Sequence, residues 1–406
     1  MDHHAGQDRH ITYIGETDFR RDRRLFGIKQ ADRFSHLYVI GKTGTGKSTL
    51  LETLIGQDIE AGCGVILLDP HGDLASRLAT RYATARPDSL IYFDVPDRTQ
   101  PYGYNPLQHV GLDRIALVAS GLLEVLRKQW PDAWGLRMEH ILRNAVYTLL
   151  EQPKSTIADI LRLLTDASFR TAALARVRNE AVRTYWTEEY ARYSPKLRAD
   201  AIMPIQNKIG AFLADPLLNR IFTAPPQPLR LRRIMDRGDV LLVNLSKGAL
   251  GEDTASVLGG LLVTAVSLAA FSRSELPEAE RRPCFLYLDE FQTFTTRSIA
   301  TLAAELRKYR VGVTFAHQFL GQLDDETRLA VLGNIGTLIS FRLGPADAVE
   351  IARELSPKFD ATDLLNLANR HVYLKLMIDG AVSQPFSATT LPPAELADRC
   401  RHSDGK

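Results

Sequence analysis

The stretch LYVIGKTGTGKSTLLETLIG, residues 37–56, constrains the fold more than any other part of the chain. Leu37, Tyr38, Val39 and Ile40 form a short apolar run with β character. Residues 41–48 match G-x-x-x-x-G-K-[ST], and residues 49–59 place Leu50, Leu51, Leu54 and Ile55 at helical spacing. Strand, glycine loop and helix in that order make a P-loop. Glycines at 41, 44 and 46 let backbone N–H groups turn inward around a β-phosphate, and the helix that follows adds its partial positive charge. Lys47 is placed to bridge β- and γ-phosphates, and the Ser48 hydroxyl to bind Mg²⁺. The candidate nucleotide contacts are Gly41, Thr43, Gly44, Thr45, Gly46, Lys47, Ser48 and Thr49. The competing reading is a glycine-rich turn with an exposed lysine, and the flanking elements speak against it.

A nucleotide site needs a second half. In RRPCFLYLDEFQTF, Phe285 to Leu288 form an apolar strand that ends in Asp289 and Glu290. Acids at the tip of a buried strand are costly unless they meet a cation or a water to polarise. Asp289 fits the second partner of Mg²⁺, and Glu290 the group that activates attacking water. Helix capping is the alternative. A third run, RVGVTFAHQFLGQL, has apolar Val311 to Ala316 with Gln318 just past the end. An amide there can sense a γ-phosphate, or simply tie down a loop. Together these pieces predict nucleoside triphosphate hydrolysis with Mg²⁺.

The 406 residues are 45% hydrophobic and 24% charged, a globular composition with room for two domains. Three cysteines without short spacing predict neither a zinc site nor a disulfide framework, and suggest a reducing cytoplasm. The start, MDHHAGQDRH, lacks the apolar core of a signal peptide and reads as a flexible tail, although His3, His4 and His10 are metal-capable. TASVLGGLLVTAVSLAAFS, residues 254–272, carries no charge and approaches the roughly 20 residues that span a bilayer. It lies between two predicted parallel strands, where a crossover helix is required, so a buried core helix and no integral membrane segment are expected.

Strands alternating with helices predict an α/β fold with a mostly parallel sheet. Further strands are expected at Val65 to Leu68, Leu90 to Asp94, Val240 to Asn244 and Thr337 to Phe341. HVYLKLMIDGAVSQPFSA reads as a hairpin turning at Asp379 and Gly380. Residues 111–235 show only helical periodicity, interrupted at Pro131, Pro153, Pro195, Pro204 and Pro216. The expected organisation is an N-terminal extension (1–34), two parts of one sheet domain (35–110 and 236–393), an all-α insertion (111–235) and a C-terminal tail (394–406). The insertion holds 19 Lys/Arg against 12 Asp/Glu, whereas the whole chain is only +2. That excess suggests a polyanionic partner, with Lys196 and Arg198 in SPKLRAD as candidate contacts, unless these helices are merely solvated. FRRDRRLFGIK, near residue 20, is a second basic cluster.

RFSHLYVIGKTGTGKSTLL, VILLDPHGDL, LYLDEFQTF and RKYRVGVTFAHQFLGQL, in that order, resemble the HerA/FtsK superfamily of RecA-like DNA-pumping ATPases. The helical insertion and YGYNPL bring the resemblance nearest the TraG/TraD-type conjugative coupling proteins of type IV secretion. It covers roughly residues 30 to 390. The resemblance implies a homo-hexameric ring that binds ATP between subunits and moves DNA, single- or double-stranded, through a central channel. It gives Lys47, Ser48, Asp289, Glu290 and Gln318 the roles above, and makes Arg307 the arginine inserted into a neighbour's site. Arg310 is the alternative, and complementing a helix dipole is the bland role for either. Asp69 matches an acid after the second strand, in local polar contact. Two departures stand: no pair of membrane helices fits before Ser35, and no N-terminal β-barrel. The expected protein is therefore cytoplasmic, with attachment to the inner membrane only through a partner, and its partners are those of type IV secretion or a mobile element. Pumping protein substrates, or a nucleotide-switched scaffold, are the competing functions. An acid beside Asp289 argues against the switch.

Overall fold

The computed structural model describes residues 10–18, 23–108, 110–294 and 297–403. His3, His4 and part of the basic cluster near residue 20 lie outside them. Eleven strands form one sheet: β1 (Ile11–Thr17), β2 (Leu25–Lys29), β3 (Leu37–Ile40), β4 (Gly64–Asp69), β5 (Leu90–Asp94), β6 (Val240–Asn244), β7 (Cys284–Leu288), β8 (Val311–His317), β9 (Thr337–Ser340), β10 (His371–Lys375) and β11 (Phe386–Thr390). Their order across the sheet is β2-β1-β11-β10-β9-β3-β8-β7-β4-β6-β5. From β9 to β5 all neighbours are parallel. The predicted strands read as unbroken apolar runs because both faces are covered: every residue of β3, β4, β7, β8 and β9 is buried.

The other edge is antiparallel, with β9 on β10, β10 on β11, β11 on β1 and β1 on β2. This corrects the expected organisation at both termini. Ile11–Thr17 and Leu25–Lys29 are no separate extension, since Gly15, Glu16 and Thr17 pair with Thr390, Thr389 and Ala388, and β1 with β2. The expected tail is a helix, Pro393–Ser403. Asp379 (φ 50) and Gly380 (φ 80) close the small Met377–Ile378/Ala381–Val382 ladder, because a tight hairpin turn needs two positive φ values.

The chain divides into two compact units. The sheet unit comprises Met1–Pro96, Leu231–Ala255 and Ala269–Lys406, and the helical unit Asp97–Arg230 with Ser256–Leu268. The helical unit thus begins earlier than the expected 111–235, at a segment where Tyr104 N–H donates to Ile221 O (3.1 Å). It also takes the middle of the helix Glu252–Ser272, against which Gly121 packs so closely that a Cβ there would lie 2.4 Å from Thr264 Cγ2. Among the described residues that one helix is long and apolar enough to cross a membrane, yet 72% of its most apolar window is buried in the fold. Pro195 and Pro216 open helices at their first turn, where the missing N–H costs nothing. Pro204 sits inside the continuous helix Pro195–Ala214. Arg198 lies over the Tyr190 ring (5.0 Å) and donates to Tyr190 O, so it belongs to the unit's own packing, whereas Lys196 is exposed.

Candidate functional site

The carboxyl ends of β3, β8, β7 and β4 lie side by side, and the predicted residues sit on these four tips. Gly41 leaves β3 and donates to His317 O at the end of β8 (3.3 Å), while Lys42 N–H donates to Arg342 O (2.9 Å). Gly44 (φ 76) and Gly46 (φ 122) adopt conformations that L side chains rarely enter, and a Cβ on Gly44 would face open space. The loop is therefore a bare cradle of backbone. The helix begins at Lys47, inside the motif and earlier than the spacing suggested, with Gly46 at its N-cap. Its first N–H groups consequently point at the cradle. Thr45 is buried, with its hydroxyl on Lys42 O (2.7 Å), while Ser48 is exposed and Thr49 half-buried.

The Lys47 amine is 6% exposed and donates to Gly41 O (2.5 Å) and Lys42 O (3.3 Å). Burial lowers its pKa, and the charges of Glu290 and Asp289 oppose that shift. Asp289 ends β7, with its N–H on Leu68 O (3.2 Å), and Glu290 follows at φ 46. A non-glycine residue in that conformation is strained, and such strain collects at functional sites. Burial first, then the charges of Asp69 and Glu290, push the Asp289 carboxyl up to about 7, with Lys47 acting the other way. Two acids at the tip, a third near enough to act on Asp289, and one lysine leave a buried negative cluster, while among the described residues no three metal-capable side chains converge. Gln292 Nε2 donates to Glu290 Oε2 (2.7 Å), which fixes the carboxylate beyond Asp289. Asp69 accepts from His71 N–H (2.9 Å) and Ala75 N–H (3.0 Å), and so holds the turn into the helix Asp73–Tyr82.

Gln318 follows β8, and its Oε1 accepts from the Thr43 hydroxyl (2.9 Å), which joins the third tip to the loop. Under the tips lie three rings that the sequence reading did not single out. Tyr38 Oη and His317 Nε2 are 2.5 Å apart, and Phe291 stacks on His317 at 4.9 Å. Burial, with the nearby Lys47 charge, pushes His317 down to about 3, so it is neutral at any working pH. The sequence hid it, because a histidine ending an apolar strand looks like a loop residue.

The structure does not bring Arg307 to these tips. It is exposed on the short turn Leu306–Tyr309, ahead of the amino end of β8. The strand rises about 3.3 Å per residue, so its length alone separates Arg307 from Gln318 by roughly 20 Å. Arg310 (φ 54) lies over the Phe34 ring at 5.4 Å.

The family model described as the central domain of helicase HerA matches residues 30–265. Among solved structures, plasmid coupling protein TrwB bound to a non-hydrolysable GTP analogue superposes with a TM-score of 0.67. Identity there is 18%, over 90% of this chain and 87% of that one. TrwB with ADP and Mg²⁺ gives 0.63 at 18% identity, over 89% and 86%. VirB4 of Thermoanaerobacter pseudethanolicus gives 0.64 at 15% identity, over 95% and 97%. At such identities the likeness is one of fold: a RecA-like P-loop sheet flanked by helices. No curated protein matches in sequence.

Proposed function

Since this chain belongs to the family of the HerA helicase central domain, we propose that it is an ATP-hydrolysing motor that works as a homo-hexameric ring and drives DNA through it. The observation that carries this reading is the meeting of Lys47, Asp289, Glu290 and Gln318 at neighbouring strand tips. The loop N–H groups and the start of the helix Lys47–Glu60 grip the β- and γ-phosphates, and the Lys47 amine moves from loop carbonyls to phosphate oxygens. Ser48 and Asp289 are the residues that would hold Mg²⁺, which when bound neutralises phosphate charge. Glu290 takes the proton of the attacking water, and Gln318, paired with Thr43, responds to the γ-phosphate. Arg307, remote from its own loop and exposed, reaches the site of the next subunit and stabilises charge in the transition state.

DNA as cargo is supported by the helical unit, where Asp97–Arg230 holds 18 Lys/Arg against 13 Asp/Glu. TrwB is by description a plasmid conjugative coupling protein. We extend that role to this chain, in the cytoplasm beside type IV secretion or mobile-element partners. The test is ATP turnover with single-stranded DNA, duplex DNA, RNA or an unfolded protein at rising salt. DNA stimulation that declines steeply with salt is expected, because neutralised phosphates release counterions. Stimulation by the unfolded protein alone would replace DNA with protein cargo, and no turnover at all would leave a scaffold.

A further inference from the structure

We propose that the cavity beside Arg370 holds the base and ribose of the nucleotide, with the Arg370 guanidinium against the base. The inference rests on the nucleotide reading of the loop. Arg370 lies far from residues 41–48 in sequence, just ahead of β10, yet its N–H donates to Thr45 O (2.8 Å). Its own carbonyl accepts from Thr390 N–H (2.9 Å). Its φ is 68, a conformation an arginine adopts at a cost in free energy and which surrounding structure must hold. A Cβ added at Gly46 would lie 3.5 Å from Arg370 Cγ, so the side chain leaves directly beside the last turn of the loop.

The backbone of Arg370 is held on both sides, whereas its side chain is exposed. The side chain is 46% exposed and, among the described residues, its ion pair is with Glu395, itself 55% exposed, at 2.8 Å. An exposed ion pair of that kind is weak and yields readily to a ligand. The cavity that Arg370 lines has a volume of about 420 Å³, with Thr389, Leu391, Glu395 and Asp398 also in its lining. That is within the roughly 300–1,000 Å³ of small-ligand sites.

The chemistry fits a nucleoside. A planar guanidinium stacks on the face of any base. Leu391 supplies apolar surface, and the carboxylates of Glu395 and Asp398 can only accept hydrogen bonds, which ribose hydroxyls donate. Leu391 is also tied to the phosphate-binding helix, since Thr53 Oγ1 donates to Leu391 O (2.9 Å). Arg370 thus joins the loop, through Thr45, to a nucleoside-sized space that residues 41–49 do not themselves line.

The test compares two probes on the full chain: ATP, and inorganic tripolyphosphate, which has the phosphates without the nucleoside. Arg370→Ala should weaken ATP binding about tenfold, as loss of one stacked cation implies, and leave tripolyphosphate affinity unchanged. Arg370→Lys keeps the charge and the backbone anchor but not the planar face, and should show the same selective loss to a smaller degree. It decides the matter if the alanine variant folds poorly. Wild-type ATP affinity in a folded variant would overturn the proposal. So would an equal loss for both probes, which would make Arg370 a phosphate or loop residue. If the unaltered chain bound neither probe, the nucleotide reading itself would fall, a result distinct from either of these.

Discussion

The two ends of the parallel strands hold charge in opposite surroundings. At the carboxyl ends, Lys47, Asp69, Asp289 and Glu290 are 6%, 0%, 4% and 5% exposed. At the amino end of β8, Arg307 stands in solvent and Arg310 is half-buried. Buried charges must find partners, so the first end implies a ligand that enters the chain's own cradle. An exposed arginine far from that cradle costs nothing to keep, and becomes useful only when another molecule brings a site to it. One end of the sheet gathers its candidate groups within a single chain, and under the proposed function the other serves a neighbouring subunit.

The largest test breaks that contrast. Arg307→Ala should lower turnover about a thousandfold or more, in the range of trans-acting arginines, with ATP binding and folding little changed. Mixing it with inactive Lys47→Ala should restore part of the activity, because some interfaces then join an intact loop to an intact Arg307. Mixed rings that stay silent would move the role to Arg310. Next comes the buried end: Glu290→Gln should keep ATP binding and lose about a hundredfold or more in turnover, since an amide cannot take the proton of water. Wild-type turnover would place the catalytic acid elsewhere. A smaller effect is expected in the helical unit. Reversing the exposed Lys196 and Arg192 should reduce DNA stimulation several-fold and lower the salt slope by about one per lost phosphate contact, with basal turnover intact. An unchanged slope would shift the DNA surface to the sheet unit.

The smallest expected change in turnover accompanies a change in stability. His36 (φ 65) is buried, accepts from Val313 N–H through Nδ1 (3.1 Å), and is pushed by burial from 6.5 to about 4. Between those values the unfolded chain binds a proton that the folded chain refuses. Stability is therefore intact above pH 6.5 and is lost as pH falls toward 4, by roughly 2–3 kcal/mol from this group. Asparagine tolerates the left-handed backbone, so His36→Asn should flatten the fall of Tm with acid. An equally steep fall would assign the acid sensitivity to His317 or the carboxylates.

Much of this was legible in the chain before folding. The strands came within one or two residues, because strands buried on both faces must be short and wholly apolar. Lys47, Asp289 and Gln318 could be read because each belongs to a local pattern in which a strand end abuts a polar group. The antiparallel edge was not legible: β1 depends on pairing with β11, whose residues lie at the opposite end of the sequence. Pro204 interrupts the local pattern without ending its helix. Packing of Ile202, Ile205 and Ile209, all buried, holds the helix through one missing hydrogen bond.

By itself the sequence named the candidate residues for the chemistry, since a glycine cradle, a lysine and paired acids are each defined by near neighbours. Tertiary structure alone decided who meets whom. Strand order set β8 between β3 and β7, and so put Gln318 on Thr43. The same strand, by its length and direction, carried Arg307 to the far edge, and β10 brought Arg370 to Thr45 across more than three hundred residues of chain. Spacing along a chain fixes only local geometry, whereas strand order is chosen by the burial of whole faces, which no short motif records.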